Sequence, residues 1–358
     1  MAPRETSGLV QQGRRGGERS VTLTDVARHA SVSAMTVSRV VNDDPRVIDV
    51  TRQKVAKAIS ELGYVPNRAA RSLAGRRQVR IALLHTNPSA AYLSELLIGS
   101  LEQASVSDAM LVVEQFNPPE TAKALAARLR KSRIDGVILP PPLCDDANLI
   151  AALDAAGLEF ARIATGAPGL GGTVITIDDE AAAYAMTAHL IAQGHMRIGL
   201  IAGNPNQMTS ALRVGGYEAA LAKAGIDLDP ALIETGDFTY RSGLRAAEQL
   251  LALAPRPTAI FACNDDMAAA AVAVAHRCGL EVPHDLSITG FDDTAMARAI
   301  WPELTTIRQP IAAMSQAAVC SLTEAVRQEA GRQGAGVPLQ HQRLQFELIK
   351  RASDGLAR

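Results

Sequence analysis

The side chains able to do chemistry fall into two groups. The first is a short helical stretch offering Ala34, Met35, Thr36, Ser38 and Arg39 on one face. Thr and Ser hydroxyls bond phosphates or base edges, and an Arg fork fits the O6/N7 edge of guanine. The second group stands where apolar runs end, with Asn264 after TAIFAC (258–263) and Asp292 after LSITGF (286–291); Arg213, in the string RVGGY, stands apart from any such run end. An amide that donates and accepts, a carboxylate and a planar guanidinium are groups that grip hydroxyls. Arg213 could equally pair with an acid inside the protein. Asp265, Asp266 and Asp293 read as caps of the helices that follow. Nothing here assembles a nucleophile and a base. G-x-S-x-G, H-E-x-x-H and G-x-x-x-x-G-K-[ST] are all missing from the sequence. His85 follows an apolar run with no nucleophile beside it, and His189 and His195 are spaced wrongly for one helical face. Gly166, Gly169, Gly171 and Gly172 lack the G-x-G-x-x-G spacing and lead into TVITI. Cys144, Cys263, Cys278 and Cys320 lie far apart and read as reduced core thiols. The expectation is therefore a binding protein, not an enzyme, with no cofactor and no metal.

The elements that must position these residues change character near residue 79. The 358 residues predict two to three domains. Charge is split: residues 1–77 hold 14 Lys and Arg against 7 Asp and Glu, whereas the remainder holds 22 against 30. A basic head on an acidic body suggests that the head meets a polyanion, although charge runs often mark only a solvated tail. Residues 1–19 are polar and Gly/Arg-rich and read as a disordered tail. Short helical pieces follow. Thr22 and Asp25 make a capping-box-like pair, and Ser33 can cap a second helix from Ala34 to Val41. A third runs from about Val50 to Leu62, where Gly63 stops it. Short helix, turn, short helix is the helix-turn-helix plan, though the pattern alone also describes a helical hairpin with no DNA role.

From residue 79 apolar, β-rich runs alternate with helical stretches. VRIALLH (79–85), MLVVEQF (110–116), GVILP (136–140) and FARIA (160–164) form one series. RIGLIAG (197–203), TAIFAC and LSITGF form a second, with a shorter candidate around ALIETGDF (231–238). Runs this uniformly apolar belong to parallel strands buried on both faces. Two series predict two similar α/β lobes. A helix near residues 312–328 and a strand RLQFELIK (343–350) come after both, so the chain is expected to cross between lobes more than twice. No run approaches the length of a membrane span, and the N-terminus has no apolar signal region, so a cytoplasmic location is expected.

VTLTDVARHASVSAMTVSRVVND (21–43) and GYVPNRAARSLAG (63–75) together closely resemble the DNA-binding head of the LacI/GalR family of bacterial transcription regulators. The body resembles the family too, to about residue 352, in GHMRIGLIAG (194–203), ALRVGGYEAAL (211–221), TAIFACNDDMA (258–268), LSITGFDDT (286–294) and WPELTTIRQP (301–310). Two departures stand out. The turn position, often Gly in the family, is Ser31. The usual Ser cap of the third helix is Ile48, with Asp49 the expected replacement cap.

The resemblance implies an all-α helix-turn-helix head over residues 20–66, a hinge helix or linker over 67–78, and a two-lobed core over 79–352 with the fold of periplasmic sugar-binding proteins, built on two doubly wound parallel sheets. It implies DNA contacts by Thr22, Ser33, Ala34, Met35, Thr36, Ser38, Arg39, Asn42, Tyr64, Asn67, Arg68 and Leu73. Leu73 would wedge into the minor groove; without the resemblance, Asn67 to Ala74 reads as an inert linker. A small ligand, a sugar by the family's habit or else a purine, is expected between the lobes on Tyr92, Arg213, Phe238, Asn264, Asp292 and Gln309. Phe238, Phe291 and Trp301 are candidate stacking rings, with Phe291 equally readable as core. The partners implied are a pseudo-palindromic operator, an effector and a second copy of the chain, without membrane contact. The competing reading is a solute-binding protein for sugar transport or chemotaxis, against which the intact head argues.

Overall fold

A computed structural model describes residues 21–41, 44, 46–64, 78–86, 89–117, 119–166, 168–329 and 341–358. Contacts divide the chain into two compact units, residues 1–77 and 78–358. The expected tail over 1–19, most of the expected hinge, and with them Asn42, Asn67, Arg68 and Leu73, lie outside the described residues.

The first unit contains α1 (Leu23–His29), α2 (Ala34–Val41) and α3 (Asp49–Leu62). The expected capping box opens α1: the Asp25 N–H donates to the Thr22 hydroxyl at 3.3 Å, and the Thr22 N–H donates to the Asp25 carboxylate at 3.0 Å. Ser31 then turns the chain at φ 54, a left-handed conformation costing an L-residue roughly 1–2 kcal/mol. Ser33 caps α2 by accepting from the Thr36 N–H at 3.0 Å. The expected Asp49 cap is not formed. Asp49 is the first helical residue, and Ile48 holds the cap position with no side-chain acceptor to offer. The helix starts instead on the Ile48 carbonyl, which accepts from the N–H groups of Thr51 and Arg52. Val26, Val37 and Val55 are fully buried at the centre with Ala27, Ala30, Ala58 and Tyr64. Each valine contributes on the order of 1.5–3 kcal/mol, a large fraction of a small domain's stability.

The second unit has two six-stranded sheets of identical winding. The first runs β11-β5-β4-β3-β1-β2 and the second β12-β10-β9-β8-β6-β7. Its members are β1 (Val79–His85), β2 (Ala109–Gln115), β3 (Gly136–Leu139), β4 (Glu159–Ile163) and β5 (Thr173–Thr176), then β6 (Ile198–Ala202), β7 (Ile233–Thr235), β8 (Ala259–Ala262), β9 (Ser287–Asp292) and β10 (Thr305–Arg308), with β11 (His341–Arg343) and β12 (Glu347–Ile349) at the edges. Pairing is parallel throughout except β10 with β12, which is antiparallel. The expected single strand over 343–350 is thus two strands on different sheets. No Gly or Pro marks the crossing at Leu344, Gln345 and Phe346, so the sequence pattern reads straight through it. The four-residue strands β5 and β10 also escaped the expected series, being short and threonine-rich.

Helices cover both faces, as the apolar strands require. Along β1, Ile81 and Leu83 join one cluster while Ala82 and Leu84 join another, so alternate side chains pack against opposite helix layers. The helices are α4 (Ala90–Val106), α5 (Ala122–Lys131), α6 (Ala147–Ala155), α7 (Asp179–Ala192), α8 (Met208–Lys223), α9 (Tyr240–Leu251), α10 (Asp265–Arg277), α11 (Ala295–Ala299) and α12 (Ile311–Glu329). The chain crosses between lobes after β5, after β10 and between β11 and β12, so α12 leaves the second sheet to pack on α4 of the first. Both sheets carry the 2-1-3-4-5 winding that opens a crevice at the carboxyl ends of the strands. Among the described residues no helix is long and apolar enough to cross a membrane.

Candidate functional site

The outer face of α2 is polar because its inner face supplies Val37 to the core. Met35 is 63% exposed beside exposed Ala34 and Arg39, with Thr36 and Ser38 half-buried. The Thr36 hydroxyl lies 2.8 Å from that of Ser33, which fixes both at the start of the helix. Thr22 is exposed, its hydroxyl held by Asp25. Tyr64, expected among the DNA contacts, is 7% exposed and packs its ring into the head's apolar core.

In the second unit the carboxyl ends of both sheets face one cavity, with about 390 Å³ of empty space including its open mouth. Ser89 and Tyr92 come from the β1–α4 connection and α4, Pro141 follows β3, and Ala164 follows β4. Opposite them stand Gln207, Thr209 and Arg213 at the start of α8, Phe238 after β7, Asn264 after β8, Asp292 at the end of β9 and Gln309 after β10. All six residues expected to hold a ligand therefore line one space. Ser89, Pro141, Ala164, Gln207 and Thr209 were not anticipated. Each lies just beyond a strand's carboxyl end or in the following helix's first turn, and that placement is the signal that could have found them.

Arg213 organises the floor. Its Nε donates to Asp179 at 2.9 Å, one Nη donates to the Cys263 carbonyl, and a second carboxylate, Asp292, lies 3.9 Å away. The guanidinium stacks on Phe291 at 3.6 Å from the ring centre, so Phe291 is the platform beneath the arginine and not a cleft wall. Phe238 lines the cavity at 5.8 Å from the same group. Asn264 is less free than expected: its Oδ1 caps α10 through the Met267 N–H, and its Nδ2 donates to the Phe238 carbonyl. Asp292, at φ 110, accepts from Gln309 Nε2 at 2.5 Å. Among the described residues the Tyr92 hydroxyl and Gln309 Oε1 are buried without a hydrogen-bond partner.

The comparisons with known proteins follow this division. A profile described as "Bacterial regulatory proteins, lacI family" matches residues 22–67, and one described as "Periplasmic binding protein-like domain" matches residues 187–353. The HTH-type transcriptional regulator DegA of Bacillus subtilis (strain 168) is 36% identical over 82% of this chain and 88% of its own length. The chain belongs to the LacI family of bacterial regulators. Its fold superposes on a transcriptional regulator CelR–cellobiose complex with TM-score 0.70 at 31% identity, covering 93% of this chain and 99% of that one. It matches a lac repressor dimer bound to operator and the anti-inducer ONPF equally well, with TM-score 0.70 and 31% identity over 94% of this chain and 99% of that one.

In this LacI-family regulator the charges around the cleft are tightly constrained. Burial pushes the Asp292 carboxyl up to about 7, opposed by Arg213 and Gln309 and reinforced by Asp266 and Asp179. Burial raises Asp179 too, against the pull of Arg213. The Tyr92 hydroxyl is raised well above its usual range by burial and by Asp292. The Cys263 thiol is pushed up to about 12 by burial and so stays protonated at neutral pH. The four cysteines are only partly the core thiols expected, since Cys278 is exposed and Cys320 half-buried.

The acids expected to cap helices have other partners. Asp265 accepts from the Thr294 N–H at 2.7 Å and from the Thr306 hydroxyl at 2.7 Å, tying α10 to the loop that presents Asp292. Asp293 pairs with Arg308 at 2.7 Å and Arg351 at 2.5 Å. Asp266 accepts from the Ser89 hydroxyl at 2.6 Å, a bond that spans the lobes. A second spanning bond runs from the Met208 N–H to Asp145 at 3.2 Å. Trp301 is 80% exposed and does not line the cavity.

Proposed function

We propose that this regulator is a homodimeric repressor that reads a pseudo-palindromic operator and is controlled by a sugar held between its lobes. The observation that carries the reading is the convergence of Tyr92, Arg213, Phe238, Asn264, Asp292 and Gln309, from six separate segments, on one cavity at the carboxyl ends of both sheets. Relatives crystallised with cellobiose and with operator DNA support the choice of ligand and partner. Thr36, Ser38 and Arg39 on α2 are the base and phosphate readers, with Thr22, Ser33, Ala34, Met35 and Asn42 around them. Residues 67–78 form the hinge that carries Asn67, Arg68 and Leu73 to the DNA, and residues 79–352 form the sensing and dimerising core. The cleft is read as binding without reacting, because Asp179 engages its guanidinium. Such a regulator works in the cytoplasm, where its operator is. The test is a gel shift of the full chain on the DNA upstream of its own gene, with and without sugars. Specific binding altered by a sugar supports the reading, and binding no tighter than to random DNA at the same salt refutes it.

A further inference from the structure

Several helices begin beside the cleft, and a helix start is an anion site wherever its N–H groups are free. Here a side chain already engages one such N–H at each start. At α8, Asp145 accepts from the Met208 N–H. At α7, Asp178 accepts from the Ala181 N–H, and Asp179 and Glu180 fill the first turn. At α10, Asn264 takes the cap while Asp265 and Asp266 fill the first turn. At α4, Ser89 accepts from the Tyr92 N–H and donates its own O–H to Asp266. At α7 and α8 the protein's own carboxylates take the place of an anion, and at α10 two acids stand in the first turn.

The one base in the cavity wall is engaged as well. Among the described residues Arg213 is the only base lining the cavity. It is bonded to Asp179 and the Cys263 carbonyl and lies close to Asp292. Arg162 is buried nearby and donates to the Cys144 carbonyl. Asp145, Asp179, Asp265, Asp266 and Asp292 outnumber these two arginines around the site.

We infer that this cleft selects an uncharged ligand and discriminates against anionic forms of the same compound, such as sugar phosphates and uronic acids. The inference rests on the reading of the cavity as the effector site and narrows its ligand class. Asp292 behaves as an internal reporter of the same field. Its own negative charge is resisted by burial, then by Asp266 and Asp179, although Arg213 stands beside it. A ligand phosphate would meet the same burial and the same acids, and the one base lining the cavity is already paired with Asp179. An uncharged hydroxyl escapes both costs. It can donate to Asp292 or the Gln309 oxygen and accept from Tyr92; the Gln309 oxygen and the Tyr92 hydroxyl are buried without a hydrogen-bond partner.

The test is calorimetric titration of the full chain with neutral mono- and disaccharides, their phosphate esters, their uronic acids, and adenine and hypoxanthine. At least one neutral sugar binds, and its phosphate and uronate bind weaker by about 30-fold or more. In an Asp145→Asn/Asp266→Asn variant the ratio of the two constants shrinks, because two of the repelling charges are gone. A phosphate or uronate that binds as tightly as its neutral parent overturns the inference while leaving the sugar reading intact. Binding of adenine or hypoxanthine with none by any sugar overturns the sugar reading and supports the selection for neutrality. Silence from every compound overturns both.

Discussion

Asp292→Asn separates a ligand-binding carboxylate from a structural one. Asn is the right probe because position 292 lies at φ 110, where Asn is tolerated far better than Ala. It also keeps an oxygen for the Gln309 amide, which donates to Oδ1. That bond leaves Oδ2 as the acceptor for a ligand hydroxyl. One charge-assisted bond is worth about 1.5–3 kcal/mol, so its weakening lowers affinity by roughly 10- to 100-fold. Stability moves the other way. The groups facing Asp292 are Tyr92 of α4, Asp179 of α7, Arg213 of α8, Asp265 and Asp266 of α10, and Gln309. With its pKa raised to about 7, Asp292 favours the folded state below the unfolded carboxyl pKa of about 4, and that contribution is lost as pH rises through 7. Above 7 the wild type carries a buried carboxylate at a cost on the order of a few kcal/mol. The ligand-free Asn variant is therefore expected to melt higher than wild type at pH 8, with a gap roughly a third as large at pH 5, which lies only about one unit above the unfolded pKa. Thermal melts at both pH values, beside a calorimetric titration with the tightest neutral sugar, read both effects. A variant that melts lower at pH 8 and binds the sugar as wild type does would falsify the assignment and leave Asp292 a structural residue.

Arg39→Ala is expected to relax preference at one operator position by about 1–3 kcal/mol, measured by binding to operators mutated base by base; a uniform loss on every sequence would instead make Arg39 a phosphate contact. Asp266→Ala removes the bond to Ser89 that spans the lobes. It is expected to speed sugar dissociation by about five- to tenfold, equivalent to roughly 1 kcal/mol, and an unchanged stopped-flow off-rate would show that the bond does not govern closure. Ser31→Gly relieves the left-handed φ of 54. It is expected to stabilise the head by about 1 kcal/mol, read as slower amide exchange in α1 and α2; faster exchange would mean that Ser31 makes a compensating contact.

The central strands were legible because they are buried on two faces and so read as unbroken apolar runs; β1 occupies the expected seven residues. The resemblance then found the cleft, since ligand residues in this winding stand at strand ends and six such positions met in one cavity. What stayed hidden were the partners of polar residues. Sequence spacing makes Asp265 and Asp266 look like caps, yet one reaches Thr294 and Thr306 and the other reaches across to Ser89. Those bonds join residues far apart in the chain, so no local pattern encodes them. The burial of Tyr64 was hidden for a related reason: a motif position does not say which way a ring points.

The central claim is that one ligand in the cleft sets the grip of α2 on an operator. The direct measurement is fluorescence anisotropy of a labelled operator, taken from the DNA upstream of the regulator's own gene, titrated with the full chain at fixed salt. It is repeated with saturating neutral sugar and with the Asp292→Asn variant. The account predicts that the sugar shifts the operator constant by about five- to 150-fold, a coupling of roughly 1–3 kcal/mol. It also predicts that the variant, at the sugar concentration that half-shifts the wild type, shows little shift. A sugar that binds the cleft by calorimetry yet leaves the operator constant unchanged would contradict the account.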